Sequence, residues 1–152
     1  MGVARWLYRT GRPNRLARFI NRAWAIVYAR GLLPDYLVTL EVVGRRSGRT
    51  TSFPMVVAVV RGERYLVSML GENVEWVRNI RAAGGNAVLR YGHREEIRLA
   101  AVPCALRAPV LKAYLQRAPG ARPHVPVDKD APLSAFEQVA ARFPVFRITS
   151  PG

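Results

Sequence analysis

The chain has 152 residues, half of them hydrophobic, with 24 Lys+Arg against 10 Asp+Glu and a formal net charge of +14. This length and composition predict one globular domain with a substantial core and exclude a disordered chain. A single cysteine, Cys104, excludes an internal disulfide, and one cysteine with two histidines is too few for an ordinary structural zinc site. The excess of positive charge favours an anionic partner: nucleic acid, an acidic membrane surface or a multiply anionic small molecule.

The N-terminal part is predicted to hold a basic arm, residues 1–13, and an amphipathic helix, residues 14–31. Apolar residues recur at helical spacing from Leu16 to Val27, and the arginines lie mostly off that stripe. Such a helix either packs on the domain or lies on an anionic membrane surface, and both interpretations stay open. Because no apolar run approaches the length of a transmembrane helix, the predicted location is cytoplasmic, with membrane association as an option.

The rest of the chain, residues 35–149, reads as strands and short helices. Six segments have the composition of β-strands: Tyr36–Val43, Phe53–Val60, Arg64–Leu70, Asn86–Tyr91, Glu95–Val102 and Val145–Thr149. The first three are joined by turns too short for parallel crossovers, which predicts antiparallel pairing. The second segment is nearly all apolar, which is typical of a strand buried on both faces.

Three helices are predicted between the strands. They run from Asn73 to about Ala83, from Pro109 to about Arg117, and from Ala135 to Arg142, and Asn73 and Ser134 are the predicted caps of the first and last. The long Pro-rich segment Ala118–Pro132 is interpreted as a lid or a loop that lines a site. The fold class is therefore α+β, mainly β: a small, closed or half-closed barrel of six antiparallel strands with flanking helices.

A basic loop, residues 44–49 (GRRSGR), joins the first two strands. It places three arginines and two glycines within six residues. Guanidinium groups bind phosphates and carboxylates bidentately, so the loop is suited to an anionic ligand. We expect Gly44 and Gly48 to adopt positive φ and to let the backbone approach that ligand. The alternative is a solvated turn that keeps two strands soluble.

Two linked motifs resemble a known family. The basic loop is followed by Pro54 in the next strand, and the predicted helix contains Trp76-Val77-Arg78-Asn79-Ile80-Arg81-Ala82. This pair is similar to the "TGRxSGxxRxxP" hairpin and "WxxNLxAN" helix of the deazaflavin-dependent nitroreductase family of actinobacteria. The resemblance covers roughly Tyr36 to Val102, and the last strand is similar as well. It implies a split β-barrel of the FMN-binding type that binds coenzyme F420 rather than FMN.

The resemblance also implies an activity and a set of site residues. Reduced F420 would give a hydride to a small electrophilic acceptor, a quinone, enone or nitro compound. His124, Ser68 or a water molecule would supply the accompanying proton. The implied cofactor-binding residues are Arg45, Arg46, Ser47, Gly48, Arg49 and Thr51 for the phosphate and oligoglutamate tail, and Pro54, Met55, Val56, Ser68, Met69, Leu70, Trp76, Asn79 and Arg81 around the ring.

Because the sequence departs from the family pattern in three places, the resemblance supports binding of the cofactor more strongly than the reduction of any particular substrate. Thr51 and Val77 stand where the family often has Arg and Tyr, and residues 119–125 lack the tyrosines of members that reduce nitro compounds. A non-catalytic split barrel that binds F420, a lipid or haem is therefore the alternative. Nucleic-acid binding is disfavoured because arginines and aromatics are not interleaved along any one strand. A homodimer is slightly favoured over a monomer.

Overall fold

The computed structural model describes residues 37–151, so the predicted basic arm and amphipathic helix lie outside the described residues. In this part of the chain one antiparallel sheet has the strand order β2-β1-β5-β6-β7-β4-β3. The strands are β1 (Leu37–Val43), β2 (Thr50–Val56), β3 (Ala58–Val60), β4 (Glu63–Val67), β5 (Asn86–Arg90), β6 (Arg94–Ala101) and β7 (Val145–Thr149). The prediction of a mainly antiparallel β-protein is confirmed, but with seven strands instead of six.

The extra strand arises at Val57, which divides the predicted segment Phe53–Val60. The first part pairs with β1 and the second with β4, at opposite ends of the strand order. One straight strand cannot pair with both edges, so the chain breaks its hydrogen-bonding pattern at this residue. Since β2 and β3 are the two edges of the sheet and only Val57 separates them, the sheet must curl into a half-open barrel.

Two apolar clusters hold the fold together. The first lies on the inner face of the curled sheet and includes Leu40, Leu66, Leu89, Ile97 and Phe146, together with Trp76, Val77 and Ile80 from a helix. The second lies between the outer face and the remaining helices, and includes Ala58, Leu115, Phe136 and Val145. Val57 belongs to the inner cluster and Ala58 to the outer one, so both faces are buried at this corner, as predicted from its apolar sequence.

Three α-helices flank the sheet in the described region: α1 (Glu75–Ala82), α2 (Ala108–Arg117) and α3 (Leu133–Val139). Short 3₁₀ turns cover Cys104–Leu106, Pro119–His124 and Ala140–Arg142. The two predicted caps are wrong, because the N-cap positions are Val74 and Pro132 and neither makes a side-chain capping bond. The side chain of Asn73 instead accepts a hydrogen bond from Arg78, at 3.4 Å.

Strand ends agree with prediction within one residue for the second hairpin and for β7, but β4 ends early. It stops at Val67 rather than Leu70, because the Ser68 amide bonds the Pro144 carbonyl and the chain then turns back through Gly71. The tight turn between β3 and β4 is confirmed: Arg61 and Gly62 have φ of 52° and 78°, the pattern that two-residue hairpin turns require. No helix within residues 37–151 is long and apolar enough to cross a membrane.

Candidate functional site

A pocket of about 380 Å³ opens where the sheet edge meets α1 and α2. One wall is made by residues of β2 and of the turn that follows β4. The sequence-predicted residues that line the pocket are Pro54, Met55, Val56, Ser68, Met69 and Leu70 on this wall, and Trp76 from α1. The structure thus brings seven residues implied by the family resemblance to one cavity, and their role in binding stays a prediction.

Trp76, from α1, also lines the pocket. Its side chain is only 2% exposed, and its ring meets Phe146 edge-on, with centroids 5.7 Å apart. Contacts of this kind fix the orientation of an aromatic ring beyond simple burial. The indole is therefore a buried boundary of the pocket that packs against Phe146.

Ser68 lies at the same wall with its polar groups already bonded. Its hydroxyl donates to the Gly71 carbonyl at 2.5 Å, and its amide donates to the Pro144 carbonyl at 2.9 Å. This hydrogen bonding holds the turn that carries Met69 and Leu70 to the pocket. A role for Ser68 as proton donor requires the bond to Gly71 to break first, so the geometry favours a positioning role for this residue.

The second wall is helical, and the sequence predicted it only in part. It consists of Tyr114 and Arg117 near the end of α2, followed by Ala118, Pro119, Gly120 and Ala121. The predicted site-lining segment Ala118–Pro132 thus reaches the pocket with its first four residues, but it is not an irregular loop, because it opens with a 3₁₀ helix. The approach of α2 to the pocket could not be read from periodicity, which shows a buried helix face but not its neighbour.

The basic loop (residues 44–49) is a closed turn held by its own backbone. Gly44 N–H donates to the Arg49 carbonyl at 2.8 Å, and Gly48 N–H donates to the Gly44 carbonyl at 2.9 Å. The Ser47 hydroxyl oxygen accepts from the Arg49 amide at 3.2 Å. Gly48 has a φ of 70°, as predicted, whereas Gly44 does not have positive φ. Gly44 instead leaves room for Ser47, since a Cβ there would lie 2.7 Å from the Ser47 hydroxyl oxygen.

Arg45 ties this loop to α1. Its guanidinium pairs with the Glu75 carboxylate and donates to the Asn79 side-chain oxygen at 2.9 Å, and its amide donates to the same oxygen at 3.1 Å. The hydrogen bond from Arg45 is the main cause of a lowered pKa at Glu75 and a raised pKa at Arg45. Arg45 and Asn79, both implied as cofactor contacts, thus make an internal bridge between loop and helix.

Arg46 and Arg49 are the exposed cations of the loop. Neither guanidinium makes a hydrogen bond or ion pair with any residue in the described range 37–151. Since Arg45 is matched by Glu75, the positive charge that the loop presents outward comes from these two side chains. They are the groups best placed to bind an anion at the surface.

The pocket and the basic loop are neighbours across the first turn of α1. Glu75 contacts the loop through Arg45, and the next residue, Trp76, lines the pocket. Strand β2 makes a second connection, because it leaves the loop at Thr50 and reaches the pocket at Pro54. Two elements, α1 and β2, therefore connect the pocket to the basic loop.

Three other predicted site residues lie away from the pocket lining. The Thr51 hydroxyl donates to the Val42 carbonyl at 3.2 Å, and Arg81 pairs with Glu72 at 3.3 Å. His124 ends the 3₁₀ turn whose first residues line the pocket, but it is not itself a lining residue. Its role as a proton donor, like the cofactor roles of Thr51 and Arg81, stays a prediction.

Substituting Gly44 with alanine is expected to lower the free energy of unfolding by about 1 kcal/mol. The added methyl would force the Ser47 side chain to rotate and to release the Arg49 amide. Urea denaturation at neutral pH measures the change. Gly120→Ala is the matched control, because a Cβ added there would meet no atom within 4 Å and the φ of Gly120 is not positive. Equal destabilisation of the two variants would contradict this account.

No protein-family model matches the chain, and neither does any curated protein sequence. Solved structures do share its fold. A protein of unknown function from Agrobacterium tumefaciens superposes with a TM-score of 0.58 at 13% identity, over 86% of this chain and 55% of that one. This chain thus spans about half of the length of that relative.

Two further structures carry names that describe a chemistry. An F420-H2-dependent reductase (FDR-A) matches with a TM-score of 0.51 at 14% identity, over 76% of this chain and 96% of its own length. A protein from Listeria innocua that is named a putative pyridoxamine 5′-phosphate oxidase matches with a TM-score of 0.51 at 8% identity, over 84% of this chain and 90% of its own length. At such identities the likeness shows the fold alone: a mostly-β split barrel with flanking helices.

Proposed function

We propose that this chain binds coenzyme F420 and transfers a hydride from its reduced form to a small electrophilic acceptor, a quinone, enone or nitro compound. One observation carries the proposal: an apolar pocket and a loop with two outward-facing arginines adjoin across the first turn of α1. The shared fold with an F420-H2-dependent reductase supports it. The sequence resemblance supports it as well, because it rests on the basic loop and on α1, the helix that lies between the loop and the pocket.

The donor set of the site matches the chemistry of this cofactor. A deazaflavin has a planar ring, which suits the apolar strand wall at Pro54–Val56 and the rigid Trp76 indole. Its phosphate and oligoglutamate tail are multiply anionic, which suits Arg46 and Arg49. FMN has the ring and one phosphate but no oligoglutamate, so it would engage the basic loop less completely.

When bound, F420 supplies the hydride chemistry, and the protein supplies position and environment. The apolar walls exclude water from the reacting atoms, which protects a hydride donor from side reactions. Trp76 and the turn at Ser68–Leu70 would border the bound ring, and the helical wall at Ala118–Ala121 would confine the acceptor. His124 and water remain predicted sources of the proton, and Ser68 could serve only after its bond to the Gly71 carbonyl breaks.

Oxidised F420 is expected to bind at least about tenfold more tightly than FMN, because its tail adds charge-assisted bonds to the loop arginines. Quenching of cofactor fluorescence by wild-type protein, measured for the two cofactors at equal concentration, tests this. Added salt should weaken F420 binding more than FMN binding, since the extra contacts are solvent-exposed ion pairs. Reduced F420 should then be oxidised when menadione or a nitroaromatic compound is added.

The outcome also separates the proposal from its alternatives. If F420 binds but no acceptor is reduced, the chain is a non-catalytic cofactor binder. If neither cofactor binds, the oxidoreductase proposal fails, and an apolar ligand such as a lipid or haem becomes the next candidate for the pocket. The cytoplasmic location and the preference for a homodimer stay predictions from the sequence.

A further inference from the structure

Glu75 supplies a carboxylate that the basic loop already binds. It is the first residue of α1, and both of its oxygens accept from the Arg45 guanidinium, Oε2 from Nη1 and Oε1 from Nη2 at 3.4 Å. The two side chains are 24% and 19% exposed, so most of the contact is shielded from water. A guanidinium that meets a carboxylate through two nitrogens is the arrangement in which arginine binds an anionic ligand. Here the anion belongs to the protein itself.

The surroundings of Glu75 are positively charged. The hydrogen bond from Arg45 is the main cause of its lowered pKa, and the charges of Arg46 and Arg78 lower this pKa further. The carboxylate is therefore ionised at neutral pH and lies within electrostatic reach of three guanidinium groups. Within residues 37–151, no other carboxylate forms an ion pair with the basic loop.

Arg45 is the loop arginine that this pairing withholds from an outside anion. Both of its Nη groups donate to Glu75, and Nη1 also donates to the Asn79 side-chain oxygen. An anion that reaches the loop therefore meets the exposed charges of Arg46 and Arg49, while the charge of Arg45 is cancelled. Without the negative charge of Glu75, the third arginine would add its attraction to that of the other two.

The position of the loop on α1 does not depend on Glu75 alone. The amide and the Nη1 of Arg45 both donate to the Asn79 side-chain oxygen, at 3.1 and 2.9 Å. Two backbone hydrogen bonds close the turn itself, Gly44 to Arg49 and Gly48 to Gly44. None of these four contacts involves the Glu75 carboxylate. Removing its charge should therefore change the electrostatics of the loop more than its conformation.

We propose, on the basis of the proposed function, that Glu75 is an internal competitor of the anionic ligand: it occupies Arg45 and thereby lowers the affinity of the basic loop for phosphate and carboxylate groups. The cofactor tail then binds at Arg46 and Arg49 against the opposing charge of Glu75. Glu75 sets the affinity of the site and takes no part in hydride transfer. Loss of a purely structural contact would weaken ligand binding, whereas loss of a competitor strengthens it.

Titration of inorganic pyrophosphate into the full chain tests this by isothermal titration calorimetry, at neutral pH and low salt. We expect Glu75→Gln to bind pyrophosphate roughly tenfold more tightly than wild type, because the opposing charge is gone and Arg45 is released. The double variant Arg45→Ala/Glu75→Gln removes the whole pair and has the net charge of wild type, so it should bind as wild type does. Glu75→Asp keeps the charge and should gain little.

Glu41→Gln is the matched control. Glu41 also pairs with an arginine, Arg90, at 2.8 Å, and its side chain is 19% exposed, close to the value for Glu75. Its partner lies on β5 and not in the basic loop. Because the change in net charge is the same, an equal gain in Glu41→Gln would mean that only the overall field matters, and would overturn the proposal. An unchanged or weaker affinity in Glu75→Gln overturns it, as does an equal gain in the double variant.

The assay does not need the cofactor, so its result is distinct from a failure of the proposed function. A chain that binds no F420 but gains affinity for pyrophosphate in Glu75→Gln would disprove the oxidoreductase and retain the competitor. If F420 binds and Glu75→Gln gains nothing, the competitor fails and the proposed function stands. Where F420 binds, its Kd should also fall by roughly tenfold in Glu75→Gln. If no variant binds pyrophosphate, the basic loop is not an anion site and the proposal is overturned.

Discussion

Replacing both Arg46 and Arg49 with alanine is expected to weaken the binding of oxidised F420 by roughly 100-fold. Each exposed guanidinium is taken to contribute about 1.4 kcal/mol through charge-assisted bonds to the tail. Stability should change little, because neither side chain bonds to another described residue and both are exposed. Fluorescence titration measures affinity, and a urea denaturation curve measures stability.

The matched control for this double variant is Arg94→Ala/Arg98→Ala. It also removes two positive charges, but from β6, which is separated from β2 by two intervening strands. If the loop acts through local contacts, the control should lose only a few-fold in affinity, and added salt should erase that loss. Equal weakening by both variants would mean that only the overall positive field attracts the cofactor, and no weakening by either would place the tail elsewhere.

The choice of Arg46 and Arg49 instead of Arg45 comes from the structure and not from the sequence. In the sequence the three arginines are equivalent members of one basic loop. In the fold, Arg45 forms an ion pair with Glu75 and a hydrogen bond with Asn79, which belong to a helix about thirty residues further along the chain. A pairing of this kind depends on how the hairpin and α1 meet in space, which neither propensity nor periodicity encodes.

The elements that the sequence predicted best are those defined by local signals. The second hairpin and β7 are marked by glycines, prolines and alternating apolar residues, and their bounds were right within one residue. Of the residues that line the pocket, the sequence predicted mainly those on the strand wall. Its strand wall follows the family motifs, while Tyr114 and Arg117 belong to a helix whose buried face was recognised but whose neighbour was not.

The division at Val57 shows the limit of the same reasoning. An unbroken apolar run from Phe53 to Val60 reads as one strand, because its composition is the same on both sides of Val57. What breaks it is closure of the sheet, since the first part must pair with β1 and the second with β4. Closure is a property of all the strands together. The carbonyl of Val57, at the same corner, accepts a hydrogen bond from Arg117.

A charged network at Glu95 gives the second large expected effect. Glu95 lies on the same face of β6 as the buried Ile97 and accepts two hydrogen bonds from the Arg64 guanidinium, at 2.9 and 2.7 Å. It also accepts from the Tyr91 hydroxyl at 2.7 Å. The bonds from Arg64, reinforced by Tyr91, lower the pKa of Glu95 from 4.5 to about 2.

Glu95→Gln is therefore expected to destabilise the fold by about 1–2 kcal/mol at pH 7, a value reduced for the partial exposure of both partners. Because the pKa of Glu95 is lowered in the folded state, its contribution to the free energy of unfolding is complete above about pH 4.5 and is lost as the pH falls towards 2. The difference in unfolding free energy between wild type and Glu95→Gln should thus be constant from pH 7 to about 5 and should shrink between pH 4 and 2.

Glu96→Gln provides the control for this series, since the two residues are adjacent and chemically identical. Glu96 is exposed on the opposite face, and within residues 37–151 it pairs only with Arg94, two residues away, at 3.2 Å. Its substitution should change the free energy of unfolding by less than about 0.5 kcal/mol. A loss at Glu96 as large as that at Glu95, or a Glu95→Gln difference that does not vary with pH, would mean that net charge and not the Arg64–Glu95–Tyr91 network sets the stability.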